Sequence, residues 1–293
     1  KLEGLEFHFI AQDKQLDALF SGKVDLITNL PGTQTLAVMK NPGMTVIKKT
    51  SLYTALCGFN LLSGPLSNLY VRKALNHALD KQELIRYDLF GNGKPIATFS
   101  MEGETGHNKT LKPYKFNIKK AKELLAKAGY QNTFSIKVLV KANAERTAKI
   151  IANELKKNIG VHLEITLVSD ANTLKEIASK RYDMMIGYNP DPIFHSYFTQ
   201  AIVLYSKSPY CLGGDSKFDS LLEQMAATPD IEEGGKMAEK LDEYVYDNAM
   251  SLFTYQCLRL YGTSKKLRFT PYMSGMSYFH EAYFYEKTDK KTS

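Results

Sequence analysis

The sequence has no tryptophan, only three cysteines in 293 residues, and no apolar run approaching the ~18 residues that a membrane-spanning helix needs. Cys57, Cys211 and Cys257 have no metal-like spacing and permit at most one intrachain bridge, which excludes a disulfide-built scaffold and a cysteine zinc site. Cysteine usage does not settle the compartment. Residues 1–21 carry Glu3, Glu6, Asp13 and Asp17 without an apolar core, so no signal peptide is visible. The chain opens on Lys1 in the middle of a hydrophobic alternation, and the expectation is a mature or cut fragment. Strong charge of one sign is also missing. Lys and Arg number 38 against 31 Asp and Glu, a net +7, but the basic groups Lys119-Lys120-Lys122 and Lys156-Lys157 are interrupted by Glu123 and Glu154. That is a solvated surface without the basic, aromatic-interleaved stripe of a nucleic-acid binder.

Enzyme motifs are missing as well. Gly91-Asn92-Gly93-Lys94 lacks the later Gly or Ser/Thr of a phosphate loop or dinucleotide fingerprint and reads as a turn. No Gly-x-Ser-x-Gly elbow occurs, and His280-Glu281 has no second His at helical spacing. The six histidines are scattered.

What is present is an ordinary globular composition, 44% apolar and 24% charged, which rules out disorder. Leu5, Phe7 and Phe9 alternate with Glu6 and His8 as in a half-buried strand. Asp13 is expected to cap a short helix through Phe20, Gly22 to end it, and residues 24–27 to resume as a strand. A helix at 34–40 and a strand at 44–48 follow, then a long extended segment at 51–62. Val71, Leu75, Ala78 and Leu79 share one face of the next helix. Residues 91–115 have no periodicity and read as a long ordered loop or crossover.

Between Asn117 and Asn189 the pattern becomes regular: a helix capped by Asn117 and ended by Gly129, a strand at 134–140, a helix at 144–158 closed by Gly160, a strand at 161–168, a helix at 172–180 and a strand at 182–186. Such a βαβαβ series predicts a mostly parallel, helix-covered sheet, with ligands beyond the carboxyl ends of its strands. The third strand delivers Gly187-Tyr188-Asn189-Pro190-Asp191-Pro192 there. A helix is expected at 193–205, two more at 216–227 and 230–247, and a long strand at 252–261. His195 is placed near the ligand crevice, or else merely packs in an aromatic helix. Asp191 reads equally as a turn or N-cap residue and as a ligand-facing charge.

Several segments, in order, resemble the family 5 solute-binding proteins of ABC transporters, the peptide and nickel binders. They are Asp17-Ala18-Leu19-Phe20-Ser21-Gly22-Lys23-Val24-Asp25-Leu26; Gly58-Phe59-Asn60 leading to Val71-Arg72-Lys73-Ala74-Leu75-Asn76-His77-Ala78-Leu79-Asp80-Lys81; residues 121–130; residues 155–167; Tyr182-Asp183 with Pro190-Asp191-Pro192; and Lys217-Phe218-Asp219-Ser220-Leu221-Leu222. The resemblance implies an α/β, periplasmic-binding-protein-like (type II) lobe with a mostly parallel sheet, plus a partial second lobe. Residues 1–50 would be part of a first lobe, 51–250 a complete second lobe, and 251–293 a return crossover with more of the first. The long N-terminal part of the family would be lacking. Cys57 and Cys257 would lie in the two crossovers, either approaching each other or remaining buried thiols.

The same resemblance implies a non-enzymatic, extracytoplasmic binding component that captures a peptide or similar small solute between two lobes, a nickel complex included, and delivers it to a membrane permease. It would be a periplasmic or extracellular, membrane-associated monomer, with no cofactor and no nucleic-acid partner. A ligand-sensing domain of a larger signalling or regulatory protein is the alternative. The Asp that pairs with a peptide's α-amino group in peptide binders is replaced here by Tyr188 or Gly187, and the family's usual pocket Trp is missing. Tyr188, Asn189, Asp191 and His195 are the expected cleft-facing residues, with Tyr53 and Asn60 from the crossover. Tyr188 would offer a ring face and a hydroxyl, Asp191 a charge for an amine or cation, and His195 a ring nitrogen.

Overall fold

The computed structural model describes residues 2–285. In chain order the elements are α1 (Gln15–Phe20), β1 (Leu26–Ile27), α2 (Thr35–Lys40), β2 (Met44–Phe59), α3 (Leu69–Ala78), α4 (Lys81–Leu89), β3 (Gly93–Pro95), α5 (Ile118–Lys127), β4 (Phe134–Lys141), α6 (Glu145–Ile159), β5 (Val161–Val168), α7 (Asp170–Ala178), β6 (Met184–Pro190), α8 (Tyr197–Leu204), α9 (Ser216–Ala226), α10 (Ile231–Asp247), β7 (Tyr255–Ser264), β8 (Leu267–Arg268) and β9 (Tyr283–Phe284). They divide into two compact units. One comprises the described residues up to Ser51 and from Leu258 onward; the other is Leu52–Cys257.

The larger unit is built on a sheet in the order β7-β2-β6-β4-β5, with β3 also on β7. β4 pairs parallel with β5 and with β6, as the βαβαβ pattern predicts, whereas β2 runs antiparallel to β6 with Tyr53 opposite Pro190 and Phe59 opposite Met184. Side chains alternate across a strand, and here the alternation sorts the core into two clusters. Ala55, Cys57, Phe59, Val138, Val140, Met184 and Ile186 pack with Leu75, Leu125 and Ile151 from α3, α5 and α6. Leu56, Leu139 and Met185, one residue out of phase, pack with Phe218, Leu241 and Phe253. Each such large apolar side chain contributes roughly 1.5–3 kcal/mol by leaving water. A sheet buried on both faces explains why these strands read as near-continuous apolar runs.

Local signals set the helix ends. The Asn117 side chain accepts a hydrogen bond from Lys120 N at 2.9 Å at the start of α5, and Asp80 accepts from Gln82 N and Glu83 N at the start of α4. Gly160, at φ 71°, closes α6 in the left-handed conformation that glycine adopts without strain.

In the smaller unit, β1 pairs antiparallel with the second half of β7, with Leu26 opposite Thr263 and Ile27 opposite Gly262. Leu19, Ile27, Leu30, Val38 and Leu260 form its core. The strand expected at Leu5–Phe9 is absent: among the described residues no segment pairs with it in a sheet, and Phe7 and Phe9 are exposed. Asp13 does not cap α1 but lies inside a 3-10 turn at Gln12–Lys14. The strands expected at 44–48 and 51–62 are one continuous strand, β2.

Two further boundaries differ near the crevice. β6 continues to Pro190, because β2 provides an antiparallel partner that a one-strand reading cannot supply. The helix expected from 193 begins only at Tyr197, because Asp191 organises a turn and Phe194 is held at φ 60°. α4 was not anticipated; its apolar residues are too few to stand out beside α3.

Candidate functional site in the larger unit

The carboxyl ends of β4, β5 and β6 collect the polar groups of interest, together with the neighbouring start of β2 within the unit. Tyr188 near the end of β6 stacks on Tyr53 of β2, ring centroids 5.2 Å apart and planes within 5° of parallel. The register explains the meeting: Tyr188 is opposite Ala55, so Tyr53 is its diagonal neighbour on the same face. The Tyr188 hydroxyl lies 2.8 Å from the Thr147 hydroxyl in the first turn of α6 and 2.8 Å from the Tyr255 hydroxyl at the start of β7.

All three hydroxyls converge on one buried carboxylate, Asp88 near the end of α4. Its Oδ2 accepts from Tyr255 at 2.5 Å, Thr147 at 2.7 Å and Tyr188 at 3.3 Å. The Arg146 guanidinium approaches Asp88 Oδ1 at 3.7 Å. Burial raises the phenol pKa values of Tyr53, Tyr188 and Tyr255, and the Asp88 charge raises those of Tyr188 and Tyr255 further. All three therefore stay neutral donors through any physiological pH. Arg146 also lines a groove of about 650 Å³ with Tyr87, Lys149, Ile150 and Asn153.

Beside this cluster, Lys141 ends β4 and its ammonium pairs with Asp170 at 2.7 Å. A Cβ on Gly187 would lie 2.9 Å from Lys141 Cδ, so the glycine at this position makes room for the lysine stem.

The other expected residues are more committed to the protein itself. Asp191 is 3% exposed. Its Oδ1 accepts from Ile193 N at 2.8 Å and its Oδ2 from His195 N at 2.9 Å, while its own N donates to Leu52 O. It thus fills the turn role that the sequence left open beside ligand contact. His195 accepts at Nδ1 from Tyr197 N at 3.1 Å, which puts the proton of the neutral ring on Nε2. Burial lowers its pKa below the ordinary 6.5, partly offset by Asp191. Asn189 donates to Thr199 Oγ1 at 3.2 Å.

Asn60 is not brought to this place. It follows the far end of β2, seven residues and roughly 23 Å of extended chain from Tyr53, where Oδ1 accepts from Leu62 N and Nδ2 donates to Ser63 and Tyr182 O.

Asp88, Thr147, Tyr255 and Lys141 escaped the sequence reading. Thr147 and Lys141 were within reach of it, since both flank the carboxyl end of a parallel strand. Asp88 carries no signal, being a single acid near the end of a short helix with few apolar residues. Cys57 and Cys211 are buried free thiols. Among the described residues no group of three or more His, Cys, Asp or Glu side chains could hold a metal ion, and no helix is long and apolar enough to cross a membrane.

Comparison with known proteins places the chain. Heme-binding protein A of Haemophilus influenzae is 29% identical over 246 residues, 79% of this chain and 44% of that protein. The nickel-binding protein NikA of Staphylococcus aureus is 26% identical over 86% of this chain and 53% of its own length. The chain therefore spans about half the length of these curated relatives, which are binding proteins by name. Among solved structures, HbpA2 of Haemophilus parasuis superimposes with a TM-score of 0.82 at 24% identity, covering 94% of this chain and 56% of that one. The periplasmic binding protein DppA of Helicobacter pylori, solved with the peptide STSA, gives 0.76 at 21% identity over 93% and 55%. These neighbours establish a periplasmic-binding-protein fold. The model of the bacterial extracellular solute-binding proteins, family 5, matches residues 1–209, and the chain belongs to that family.

Proposed function

We propose that this protein is the non-enzymatic, extracytoplasmic solute-binding component of an ABC importer, which captures a peptide or similar small solute and delivers it to a membrane permease. The observation that carries the reading is the family match over residues 1–209. In this reading Leu52–Cys257 is the complete ligand-binding lobe, the other unit is part of the opposing lobe, and the protein works as a monomer. Ligand contacts to both lobes bias the equilibrium between open and closed forms, so closure and capture are one process.

Within the larger unit, the Tyr53–Tyr188 stack and the neighbouring hydroxyls form the platform that meets the solute. A ring pair anchored through Asp88 is a rigid, neutral surface. It suits a ligand that offers a flat or apolar face and a few hydrogen-bonding groups. Because both Asp191 oxygens accept from their own turn, the α-amino group of a peptide would need an anchor elsewhere. That favours solutes that do not depend on an amine–carboxylate pair, among them modified peptides and planar or metal-containing complexes.

Thermal unfolding of the full-length protein with dipeptides, tetrapeptides, glutathione, haem, and nickel with free histidine tests the reading, since a ligand that binds only the folded state raises Tm. Stabilisation by one class, lost or cut at least tenfold in affinity in Tyr188→Ala, is the expected outcome. No shift with any of these ligands would overturn the assigned solute class.

A further inference from the structure

Two strands join the larger unit to the smaller. β2 enters the larger unit between Ser51 and Leu52, and β7 leaves it between Cys257 and Leu258. The two are neighbours in the sheet. Close to the boundary, buried threonines tie one to the other: Thr54 Oγ1 donates to Tyr255 O at 2.7 Å, and Thr254 Oγ1 donates to Ala55 O at 2.7 Å.

The tyrosines of both strands at this point converge on the same two residues. Tyr53, the second residue of the unit on β2, stacks on Tyr188 of β6. Tyr255, the third from its end on β7, has its hydroxyl 2.8 Å from that of Tyr188 and donates to Asp88 Oδ2 at 2.5 Å. The backbone adds ties from the same elements. Asp191 N, just past β6, donates to Leu52 O at 2.8 Å, and β3, which follows α4, pairs with β7 so that Gly93 is opposite Cys257 and Pro95 opposite Tyr255.

Each hydroxyl of this network has a single proton to give. Tyr255 and Thr147 donate theirs to Asp88 at 2.5 and 2.7 Å. Tyr188 is 3.3 Å from Asp88 and 2.8 Å from each of the other two hydroxyl oxygens, so three acceptors are within reach of its proton. A small turn of either strand is then followed by a change of acceptor rather than by a lost bond, and two arrangements of similar energy are what an element that both a hinge and a ligand can bias requires.

We propose that Asp88 is a positioning residue of the hinge: it holds Tyr255 on one joining strand and, through Tyr188, Tyr53 on the other, and so sets the balance between open and closed forms before a solute arrives. That the balance exists rests on the proposed capture by closure. A ligand shifts such an equilibrium only through contacts that differ between the two forms. A solute seated on the Tyr53–Tyr188 stack touches a joining strand directly, which gives it that contact.

Energy transfer between dyes in the full-length protein, without ligand, tests the assignment. Lys14→Cys in the smaller unit and Lys127→Cys in the larger give exposed labelling positions, while the native Cys57, Cys211 and Cys257 are buried. Asp88→Asn keeps the size of the side chain but removes its charge, and Tyr255→Phe keeps the ring but removes the hydroxyl tie. Each should change the ratio of the two ligand-free forms at least threefold. Tyr188→Phe, which loses one hydroxyl and retains the stack, should move it in the same direction and serves if Asp88→Asn does not fold. Leu125→Ala in α5, a core truncation away from both strands, should lower Tm without changing the ratio. Lower Tm in Asp88→Asn and Tyr255→Phe with the ratio of the parent, or an equal change in Leu125→Ala, would overturn the proposal and leave Asp88 a support of the fold. A parent held at one transfer efficiency with and without tetrapeptide, glutathione, haem, or nickel with histidine would overturn closure itself and the hinge role with it; a parent that moves beside variants that match it would overturn the hinge role alone.

Discussion

At the residue scale, the larger unit surrounds its buried ionisable side chains with matching polar groups: carbonyl oxygens hold Arg72 and Lys81, and hydroxyls hold Asp88. Asp88 is the clearest case, since a single oxygen collects the hydroxyls of Tyr255, Thr147 and Tyr188. A hydrogen bond to a charged group contributes about 1.5–3 kcal/mol, and stranding a buried donor costs about 1–3 kcal/mol. Tyr255→Phe should accordingly lower stability by about 2 kcal/mol and Asp88→Ala by about 3 kcal/mol or more, read from urea unfolding midpoints at unchanged slope. Equal, negligible effects of both would mean the network is not formed in solution. Asp242 adds a pH test. Burial raises its pKa from 3.8 to about 7 against the pull of its hydrogen bonds. Folded Asp242 thus retains a proton that the unfolded chain has lost, and its contribution to stability falls as pH rises from about 4 to about 7. The stability of Asp242→Asn relative to the parent should rise over that window and flatten above it. A curve with no slope between pH 4 and 7 would place the Asp242 ionisation near its ordinary value.

At the element scale, the parallel strands and their helices were legible in the sequence because each carries a local signature. Asn117 and Gly160 mark helix ends, and Val138, Leu139 and Val140 form a run that fits a strand buried on both faces. The turn at Asp191 was half legible: its residue type announced a cap, but not which N–H groups it would hold. Asp88 and Tyr255 were not legible, because their partners are 59 and 167 residues away along the chain and no local pattern encodes such a meeting. The Leu5–Phe9 alternation misled for the same reason, since a strand is defined by a neighbour the sequence does not name. Long-range packing can be probed at Gly58 of β2, where a Cβ would lie 2.5 Å from Val203 Cγ1 of α8. Gly58→Ala should cost about 1–3 kcal/mol by overpacking. Adding Val203→Ala should recover part of that loss, so that the double variant is more stable than the sum of the two singles predicts. Strict additivity in the double-mutant cycle would show that β2 and α8 are not in contact there.

At the scale of the whole molecule, the division at Leu52 and Cys257 has a physical content that can be measured. Both large core clusters lie wholly inside Leu52–Cys257, one on each face of its sheet, and every strand from β3 to β6 finds its partner there. The clusters of the smaller unit are of a few residues each, Leu19, Ile27, Leu30, Val38 and Leu260 in one and Tyr261, Leu267, Phe269 and Ala282 in the other. A domain stands alone when its own buried apolar surface outweighs the entropy of ordering its chain, and the larger unit meets that condition far better than the smaller. The segment 52–257, expressed by itself, should therefore unfold in a single cooperative transition with fixed tyrosine near-ultraviolet dichroism, although its outer strands lose their continuations at both ends. If solute capture works by closure, the same segment should bind the solute identified for the full-length protein at least tenfold more weakly, because the contacts of the opposing lobe are gone while the tyrosine platform remains. Full affinity in the isolated segment would place the whole site within one unit and remove closure from the mechanism; a segment without a cooperative transition would show that the division is one of compactness and not of stability.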